Sequence, residues 1–148
     1  MNRFTATRIL LVEDNLDDIE ITRRALKKCR VANTLQVVRD GREALDYLLR
    51  KGVYVDHMTP DLILLDVNLP KLNGMEVLAR VRAMEDQSLS KVPIIMLTAS
   101  GDEEDIAKAY SFGTNAYVQK PVDFERFAAA LANLAEFWVV IARLPRAA

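Results

Sequence analysis

The feature that most constrains the fold of this chain is an alternation of short aliphatic runs with longer amphipathic segments. The aliphatic runs have the length of single strands, and they indicate buried strands because they contain few polar residues. Alternation of this kind is typical of β-α units repeated around a parallel sheet. The predicted strands are Arg8 to Val12, Leu35 to Arg39, Leu62 to Leu65, Pro93 to Leu97 and Ala116 to Val118.

The segments between these runs carry apolar residues at helical spacing. One long connection, from Lys51 to Pro60, predicts a surface excursion before the third strand. His57, the single histidine, lies in this excursion and is interpreted as an ordinary loop residue, because no second histidine or cysteine is near it. The predicted helices are Leu16 to Cys29, Arg42 to Lys51, Met75 to Met84, Glu103 to Phe112 and a last helix that starts near Asp123.

The composition is that of one globular domain with a substantial core, since 51% of the 148 residues are hydrophobic and the formal net charge is -1. The basic residues are scattered, which argues against direct contact with nucleic acid. The single cysteine, Cys29, cannot form an internal disulfide and fits a reducing compartment. No run of about 20 apolar residues is present, so we expect a cytoplasmic protein without a membrane segment.

Polar side chains that can carry chemistry follow four of the five predicted strands. Glu13 and Asp14 follow the first strand, and Asp66 follows the third. Thr98 follows the fourth strand and Lys120 follows the fifth. Each residue alone is typical of a helix cap or a turn. In open parallel sheets, however, ligands bind beyond the carboxyl ends of the strands, so together these residues predict a functional site at that edge.

The residue types at this edge suit phosphoryl chemistry with a metal ion. Three crowded carboxylates repel one another, and a divalent cation such as Mg²⁺ or Mn²⁺ relieves that repulsion through hard oxygen ligands. With a cation bound, Asp66 can attack phosphorus as a nucleophile and form an aspartyl phosphate, while Thr98 and Lys120 stabilise the phosphoryl oxygens. No general base is needed, because a carboxylate is already ionised at neutral pH.

Four motifs, "ILLVEDN", "LILLDVNLPKLNG", "IIMLTAS" and "YVQKP", together resemble the receiver domain of two-component response regulators. The resemblance runs from about Arg8 to the last helix. It implies an α/β fold of the flavodoxin-like type, with a doubly wound five-stranded parallel sheet in the order 2-1-3-4-5 and five helices. It also implies a single receiver domain over residues 1–148.

By this resemblance Asp66 is the phosphoacceptor, and Glu13 and Asp14 form an acidic pocket beside it. Mg²⁺ would be held by Asp14, Asp66 and the backbone carbonyl of Asn68, with Glu13 acting mainly through water. Such a protein receives its phosphoryl group from the phosphohistidine of a sensor histidine kinase. The resemblance therefore implies a signalling phosphoacceptor that catalyses its own phosphorylation and slow dephosphorylation, and not an enzyme acting on other substrates.

The resemblance also implies a conformational switch. Thr98 would contact the phosphoryl group, and Lys120 would form an ion pair with it. A phosphoryl group adds roughly two negative charges, so Thr98 would be drawn inward and leave space for the ring of Tyr117, at the family's switch aromatic position. A plain strand aromatic packed on the last helix is the alternative interpretation of Tyr117. The bond between Lys120 and Pro121 is where the family carries a cis peptide.

The end of the chain predicts how the signal leaves the molecule. Only "RLPRAA" follows the last helix, so we expect no output domain and signalling through protein contacts of the receiver itself. The last helix is extended and apolar, and its second half, "FWVVIARLP", surrounds the helix with large apolar residues that one core cannot bury. Such a patch predicts an interface, and we expect a homodimer. The candidate interface residues are Phe137, Trp138, Val140 and Ile141.

A finer resemblance concerns the subfamily. The excursion from Lys51 to Pro60, the motif "VNLPKLNG" and the "FW...RLP" ending are similar to single-domain response regulators paired with phytochrome histidine kinases. This similarity implies a bacterial phytochrome as the sensor kinase.

Three alternatives stay open on the sequence alone. A phosphohydrolase of the haloacid dehalogenase type also uses an aspartate nucleophile with Mg²⁺, but it expects a second acid two residues later, where this chain has Asn68. A degenerate receiver would keep the fold as a binding module without phosphorylation. A flavin-binding flavodoxin relative needs a phosphate loop after the first strand, and the acids of "EDN" at that place would repel a flavin phosphate.

Overall fold

The chain folds around five parallel strands in the computed structural model, which describes residues 6–28, 32–99, 101–120, 126 and 129. The strands are β1 (Thr7–Val12), β2 (Asn33–Val38), β3 (Leu62–Asp66), β4 (Ile94–Thr98) and β5 (Ala116–Gln119). They form one sheet in the order β2-β1-β3-β4-β5. The predicted fold class and strand order are therefore confirmed, and each strand lies within two residues of its predicted bounds.

Five α-helices lie in the described residues: α1 (Leu16–Lys27), α2 (Gly41–Leu48), α3 (Gly74–Arg82), α4 (Gln87–Ser90) and α5 (Glu103–Ser111). Helix α4 is not predicted from the sequence, because four residues are too few to show helical periodicity. The predicted last helix lies outside the described residues except for Arg126 and Ala129, which are helical. No described helix has both the length and the apolar sequence that crossing a bilayer requires.

Each of these five helices begins directly after an aspartate or asparagine whose side chain accepts a backbone N–H of the first turn. Such an acceptor satisfies one of the N–H groups that a helix leaves unpaired at its start. The loops that follow β1 and β2 are short, so capping fixes the start of the next helix close to the strand end. The capping residues are Asn15, Asp40, Asn73, Asp86 and Asp102.

Helix α2 ends earlier than the sequence predicts. The prediction extends to Lys51, whereas α2 ends at Leu48 and Arg50 adopts a left-handed backbone with φ of 56°. The N–H of Lys51 donates to the carbonyl of Asp46 at 2.9 Å, which closes the end of the helix. A residue with this conformation is usually glycine, so an arginine there gives no signal in the sequence.

The sheet is covered on both faces, because each strand sends alternate residues to opposite sides. All residues of the inner strands β3 and β4 are buried. One face packs against α2 and α3, with Leu89 of α4 and Ala109 of α5, and the other packs against α1. Since all five strands run in the same direction, their carboxyl ends meet at one edge of the sheet.

The connection between α2 and β3 forms the surface excursion that the sequence predicts. It contains a 3₁₀ turn (Gly52–Tyr54) and exposes the side chains of Val53 and Val55. The ring centroid of His57 lies 5.0 Å from that of Tyr47 and 5.4 Å from that of Tyr54. His57 therefore packs against one tyrosine of α2 and one of the excursion, and it is not part of the group of candidate metal ligands found among the described residues.

Candidate functional site

Four strands bring the predicted polar residues to one edge of the sheet. Asp66 is the last residue of β3, and Thr98 is the last residue of β4. Glu13 directly follows β1, and Lys120 directly follows β5. Side chains from these separate strand ends meet, although 107 positions separate Glu13 from Lys120 along the chain. The structure thus groups the residues at the carboxyl edge, where the sequence analysis expects them.

Three carboxylates form the acidic part of this site. One oxygen from each of Glu13, Asp14 and Asp66 lies within 4.8 Å of the others. Glu13 is 1% exposed and Asp66 is 7% exposed, whereas Asp14 is partly buried. Within the described ranges, this is the one group of three or more histidine, cysteine or acidic residues that could hold a metal ion. An all-oxygen donor set that is partly open to solvent fits Mg²⁺ or Mn²⁺.

The ammonium group of Lys120 lies among three acidic side chains, those of Glu13, Asp18 and Asp66. It donates hydrogen bonds to Glu13 and, at 2.8 Å, to Oδ2 of Asp18. Oδ2 of Asp66 lies 3.5 Å from the same nitrogen. The backbone N–H of Lys120 donates to the carbonyl of Thr98 at 2.6 Å, which fixes the base of the lysine side chain beside β4. The lysine is therefore held at its backbone and at its charged end.

Burial and neighbouring charges set the pKa values at this site. Burial raises the pKa of Glu13 to about 7, the hydrogen bond and charge of Asp66 add to this rise, and Lys120 opposes it. Burial acts to lower the pKa of Lys120, but hydrogen bonds to Asp18 and Glu13 outweigh it and raise that pKa above its usual range. Lys120 is therefore a cation at neutral pH, while Glu13 titrates near neutrality in the metal-free protein.

The loop after β3 shapes the surroundings of Asp66. The N–H of Asn68 lies 3.4 Å from Oδ1 of Asp66, and Asn68 itself is exposed. The N–H of Gly74, the first residue of α3, donates to the carbonyl of Val67 at 2.8 Å. A Cβ added at Gly74 would lie 2.0 Å from the carbonyl oxygen of Asp66. Glycine is therefore what allows α3 to begin this close to the end of β3.

Thr98 and Tyr117, the predicted switch residues, lie on the neighbouring strands β4 and β5. Thr98 is fully buried at 0% exposure. Tyr117 is partly buried, pairs with Met96 in the strand register and packs against the core cluster on the α2 and α3 face. The switch role of Tyr117 stays a prediction, because a plain strand aromatic would also pack against the core.

Five of the predicted site residues lie outside the described part of the chain. One is the residue of the expected cis peptide bond, and the other four belong to the candidate dimer interface. These residues are Pro121, Phe137, Trp138, Val140 and Ile141.

Asp18 is not among the site residues predicted from the sequence, although it contacts Lys120. The predicted residues lie directly after the strands, whereas Asp18 lies in the first turn of α1. A signal was present, because α1 begins four positions after the end of β1 and its first turn stands at the same edge of the sheet. Acidic residues in the first turn of such a helix are thus candidates for the site.

Comparison of the sequence with known families agrees with the site geometry. Residues 9–132 match the family described as the response regulator receiver domain. The response regulator Rcp1 of Synechocystis sp. is 35% identical over 139 residues, which cover 94% of this chain and 93% of Rcp1.

Comparison with solved structures gives the same result for the fold. The phosphorylated cyanobacterial phytochrome response regulator RcpA is 38% identical, with a TM-score of 0.84. The match covers 95% of this chain and 99% of that one. The bacteriophytochrome response regulator RtBRR is 47% identical, with a TM-score of 0.78 and coverage of 95% and 85%. The Mn²⁺-bound form of Rcp1 is 34% identical, with a TM-score of 0.81 and coverage of 94% and 99%.

Proposed function

The chain belongs to the response regulator receiver family, and we propose that it accepts a phosphoryl group from a sensor histidine kinase on Asp66. The observation that carries the proposal is the grouping of Glu13, Asp14 and Asp66 within 4.8 Å, with the Lys120 ammonium 3.5 Å from Asp66. The phosphohydrolase, flavin-binding and degenerate-receiver alternatives are not favoured, because the family match covers residues 9–132 and the acidic cluster is present.

A divalent cation, Mg²⁺ or Mn²⁺, is part of the proposal because the donor set fits it. We propose Asp14, Asp66 and the backbone carbonyl of Asn68 as direct ligands, with Glu13 acting mainly through water. The raised pKa of Glu13 reflects burial beside Asp66, and a cation relieves that cost. When bound, the cation neutralises negative charge on the phosphoryl oxygens. The Mn²⁺-bound structure of the relative Rcp1 supports the presence of a divalent cation.

Asp66 is the nucleophile of the proposed transfer. One carboxylate oxygen of Asp66 forms a bond to phosphorus while the bond from phosphorus to the imidazole nitrogen of the kinase phosphohistidine breaks, so the imidazole is the leaving group. Lys120 stays protonated and pairs with the incoming phosphoryl oxygens. The hydroxyl of Thr98, on the adjacent strand, donates to another of these oxygens. The receiver thereby promotes its own phosphorylation, and water later hydrolyses the acyl phosphate slowly.

The proposed output is a change of surface at β4 and β5. The hydroxyl of Thr98 moves toward the phosphoryl group, and the ring of Tyr117 turns into the space that Thr98 leaves. The partly buried position of Tyr117 beside β4 supports this idea, because a small inward movement is then enough to change what the surface exposes. The signal passes on through protein contacts of the receiver.

We further propose a phytochrome histidine kinase as the phosphoryl donor. The support is the similarity over nearly the whole chain to RcpA, a cyanobacterial phytochrome response regulator, and to RtBRR, a bacteriophytochrome response regulator. A cytoplasmic location and the absence of nucleic-acid binding belong to the same proposal, and they rest on the single cysteine and the scattered basic residues of the sequence.

The test of the phosphoacceptor uses acetyl phosphate and Mg²⁺ with intact-mass measurement. The native protein is expected to gain one phosphoryl group that hydroxylamine removes, and Asp66→Asn is expected to gain none. Asp56→Asn is the matched control, because it removes an exposed aspartate of the excursion and should label like the native protein. Labelling that persists in Asp66→Asn would contradict the assignment.

We also propose a homodimer that uses the apolar end of the chain, with Phe137, Trp138, Val140 and Ile141 at the interface. The support is the run of large apolar residues in the sequence. Light scattering is expected to give the mass of a dimer for the native protein and a lower mass for Trp138→Ala. Equal masses for the two proteins would argue against this interface.

A further inference from the structure

The ammonium group of Lys120 has more acidic partners than the proposed chemistry requires. Glu13 and Asp66 belong to the phosphoryl site, but the third partner, Asp18, belongs to α1 and lies 2.8 Å away. An ammonium group has three N–H donors, and three carboxylates surround this one. Asp18 makes a shorter contact with the lysine than Asp66 does, at 3.5 Å.

The backbone of Asp18 is held in place on both sides. Its N–H donates to the side chain of Asn15, the N-cap of α1, at 3.0 Å. Its carbonyl accepts a hydrogen bond from the hydroxyl of Thr22 at 2.9 Å, one helical turn later. The Asp18 side chain is 32% exposed, compared with 17% for that of Lys120, so both side chains are largely shielded from solvent. The acid is therefore a fixed point from which the lysine can be positioned.

We propose that Asp18 is a positioning residue for phosphoryl transfer, which holds the Lys120 ammonium so that one N–H remains available to the phosphoryl oxygens arriving at Asp66. A free lysine side chain has many conformations, and fixing it costs conformational entropy. Hydrogen bonds to Asp18 and Glu13 fix two donors before the donor molecule arrives. The 3.5 Å separation from Asp66 is at the outer limit of a hydrogen bond, so the third donor can turn to a phosphoryl oxygen.

This inference rests on the proposed function and adds a residue to it. The bond changes are those of the transfer itself: with acetyl phosphate as donor, an oxygen of Asp66 bonds to phosphorus, the bond from phosphorus to the acetyl oxygen breaks, and acetate leaves. Asp18 exchanges no proton in this step and does not touch the phosphoryl group. It acts through Lys120, which stays protonated throughout.

The chain offers a matched control one residue away. Asp17 is also an acid in the first turn of α1, and it is exposed. Removing either charge changes the favourable interaction with the helix dipole to a similar extent. A specific effect of Asp18 is therefore one that Asp17→Ala does not reproduce.

The test compares initial rates of phosphorylation by acetyl phosphate with Mg²⁺, followed by intact mass. Asp18→Ala is expected to slow labelling by roughly tenfold or more, since misplacement of a catalytic group by about 1 Å can cost about a hundredfold. Asp18→Asn keeps an oxygen acceptor and is expected to recover much of the rate. Asp17→Ala is expected to label like the native protein.

A spectroscopic readout separates positioning from a general loss of structure. In a ¹H–¹⁵N correlation spectrum of lysine ammonium groups, a hydrogen-bonded ammonium that is protected from exchange gives a resolved signal. The Lys120 signal, assigned by its loss in Lys120→Met, is expected to persist in Asp17→Ala and Asp18→Asn and to disappear in Asp18→Ala. Because Asp18→Asn preserves the shape of the side chain, it keeps the test valid even when Asp18→Ala is unstable.

Three results would overturn the inference: a native rate in Asp18→Ala, equal slowing by Asp17→Ala and Asp18→Ala, or equal slowing by Asp18→Ala and Asp18→Asn. Each of these leaves the proposed function intact, provided that the native protein is labelled and Asp66→Asn is not. Failure of the native protein to label would instead refute the proposed function.

Discussion

At the scale of single residues, burial distinguishes the acids of the carboxyl edge. Glu13 is almost fully buried, and a buried carboxylate is costly as an anion unless a partner compensates it. Lys120 compensates part of this cost, but Asp66 adds a second negative charge beside Glu13. The result is a glutamate whose pKa of about 7 lies well above the ordinary value of 4.5.

This pKa shift predicts how the stability of the metal-free protein depends on pH. The folded state holds the Glu13 proton more tightly than the unfolded chain, so this group stabilises the fold fully below about pH 4.5 and loses that contribution as the pH rises through about 7. We expect the free energy of unfolding of the native protein to fall over this range relative to that of Glu13→Gln, which cannot ionise. Urea titrations in a chelator at several pH values measure the difference, and parallel pH profiles would contradict the shift.

At the scale of structural elements, the approach of α3 to the end of β3 holds the phosphoacceptor. Asn73 caps α3 by accepting the N–H of Glu76 at 3.0 Å, and the next residue, Gly74, packs against the backbone of Asp66. The cap and the glycine act together, because capping fixes where the helix begins and glycine removes the Cβ that would collide there. The position of Asp66 therefore depends on the helix that follows its strand.

Gly74→Ala is expected to destabilise the fold by about 1–3 kcal/mol, which is the usual cost of forcing an extra methyl group into a packed site. The added Cβ would collide with the carbonyl of Asp66, so phosphorylation by acetyl phosphate should slow as well. Urea denaturation and the intact-mass rate measure the two effects.

Gly101→Ala is the matched control for this prediction. A Cβ at Gly101 would meet the end of the Gln119 side chain, which can move aside, rather than a fixed carbonyl group. Its stability loss should be clearly smaller than that of Gly74→Ala. Equal losses would show that the contact with Asp66 is not what makes Gly74 necessary.

At the scale of the whole molecule, one arginine joins segments at the edge opposite the phosphoryl site. Arg82, the last residue of α3, donates to the carbonyls of Ser90, Val92 and Gly113 at 3.0, 2.6 and 2.8 Å. It also donates to the side chain of Asn115 at 2.9 Å. These acceptors lie just before β4 and β5, so Arg82 ties the helix to the amino ends of two strands.

Arg82→Met is expected to lower the free energy of unfolding by about 2–4 kcal/mol, since it leaves several carbonyl groups without a charged donor. Methionine keeps much of the aliphatic length, so the loss should come from hydrogen bonds more than from packing. Arg80→Met, on the same helix, removes an exposed ion pair with Glu76 at 3.7 Å and should cost about 1 kcal/mol or less. Similar losses in the two variants, measured by urea denaturation, would refute the role given to Arg82.

Strand β2 illustrates the limit of pattern-based prediction for the fold. The sequence predicts it from Leu35 to Arg39, whereas it begins at Asn33 and ends at Val38. Its first five residues alternate between partly buried and exposed, and Asn33 and Thr34 look like loop residues in the sequence. They join the strand because they lie in register with Thr7 and Arg8 of β1. Pairing with a distant strand overrides the local preference.

The sequence by itself determined the order of the five strands and of α1, α2, α3 and α5 along the chain, because hydrophobic periodicity is a local property that a linear chain displays. It also indicated that Glu13, Asp14, Asp66, Thr98 and Lys120 stand at the carboxyl edge, because parallel strands bring their ends together whatever their separation in sequence. Only the tertiary structure decided the contacts of Asp18 with Lys120, of Gly74 with Asp66 and of Arg82 with three backbone carbonyls. The physical reason is the separation of these residues along the chain. Asp18 and Lys120 are 102 positions apart, and no local sequence pattern indicates that their charged groups lie 2.8 Å from each other.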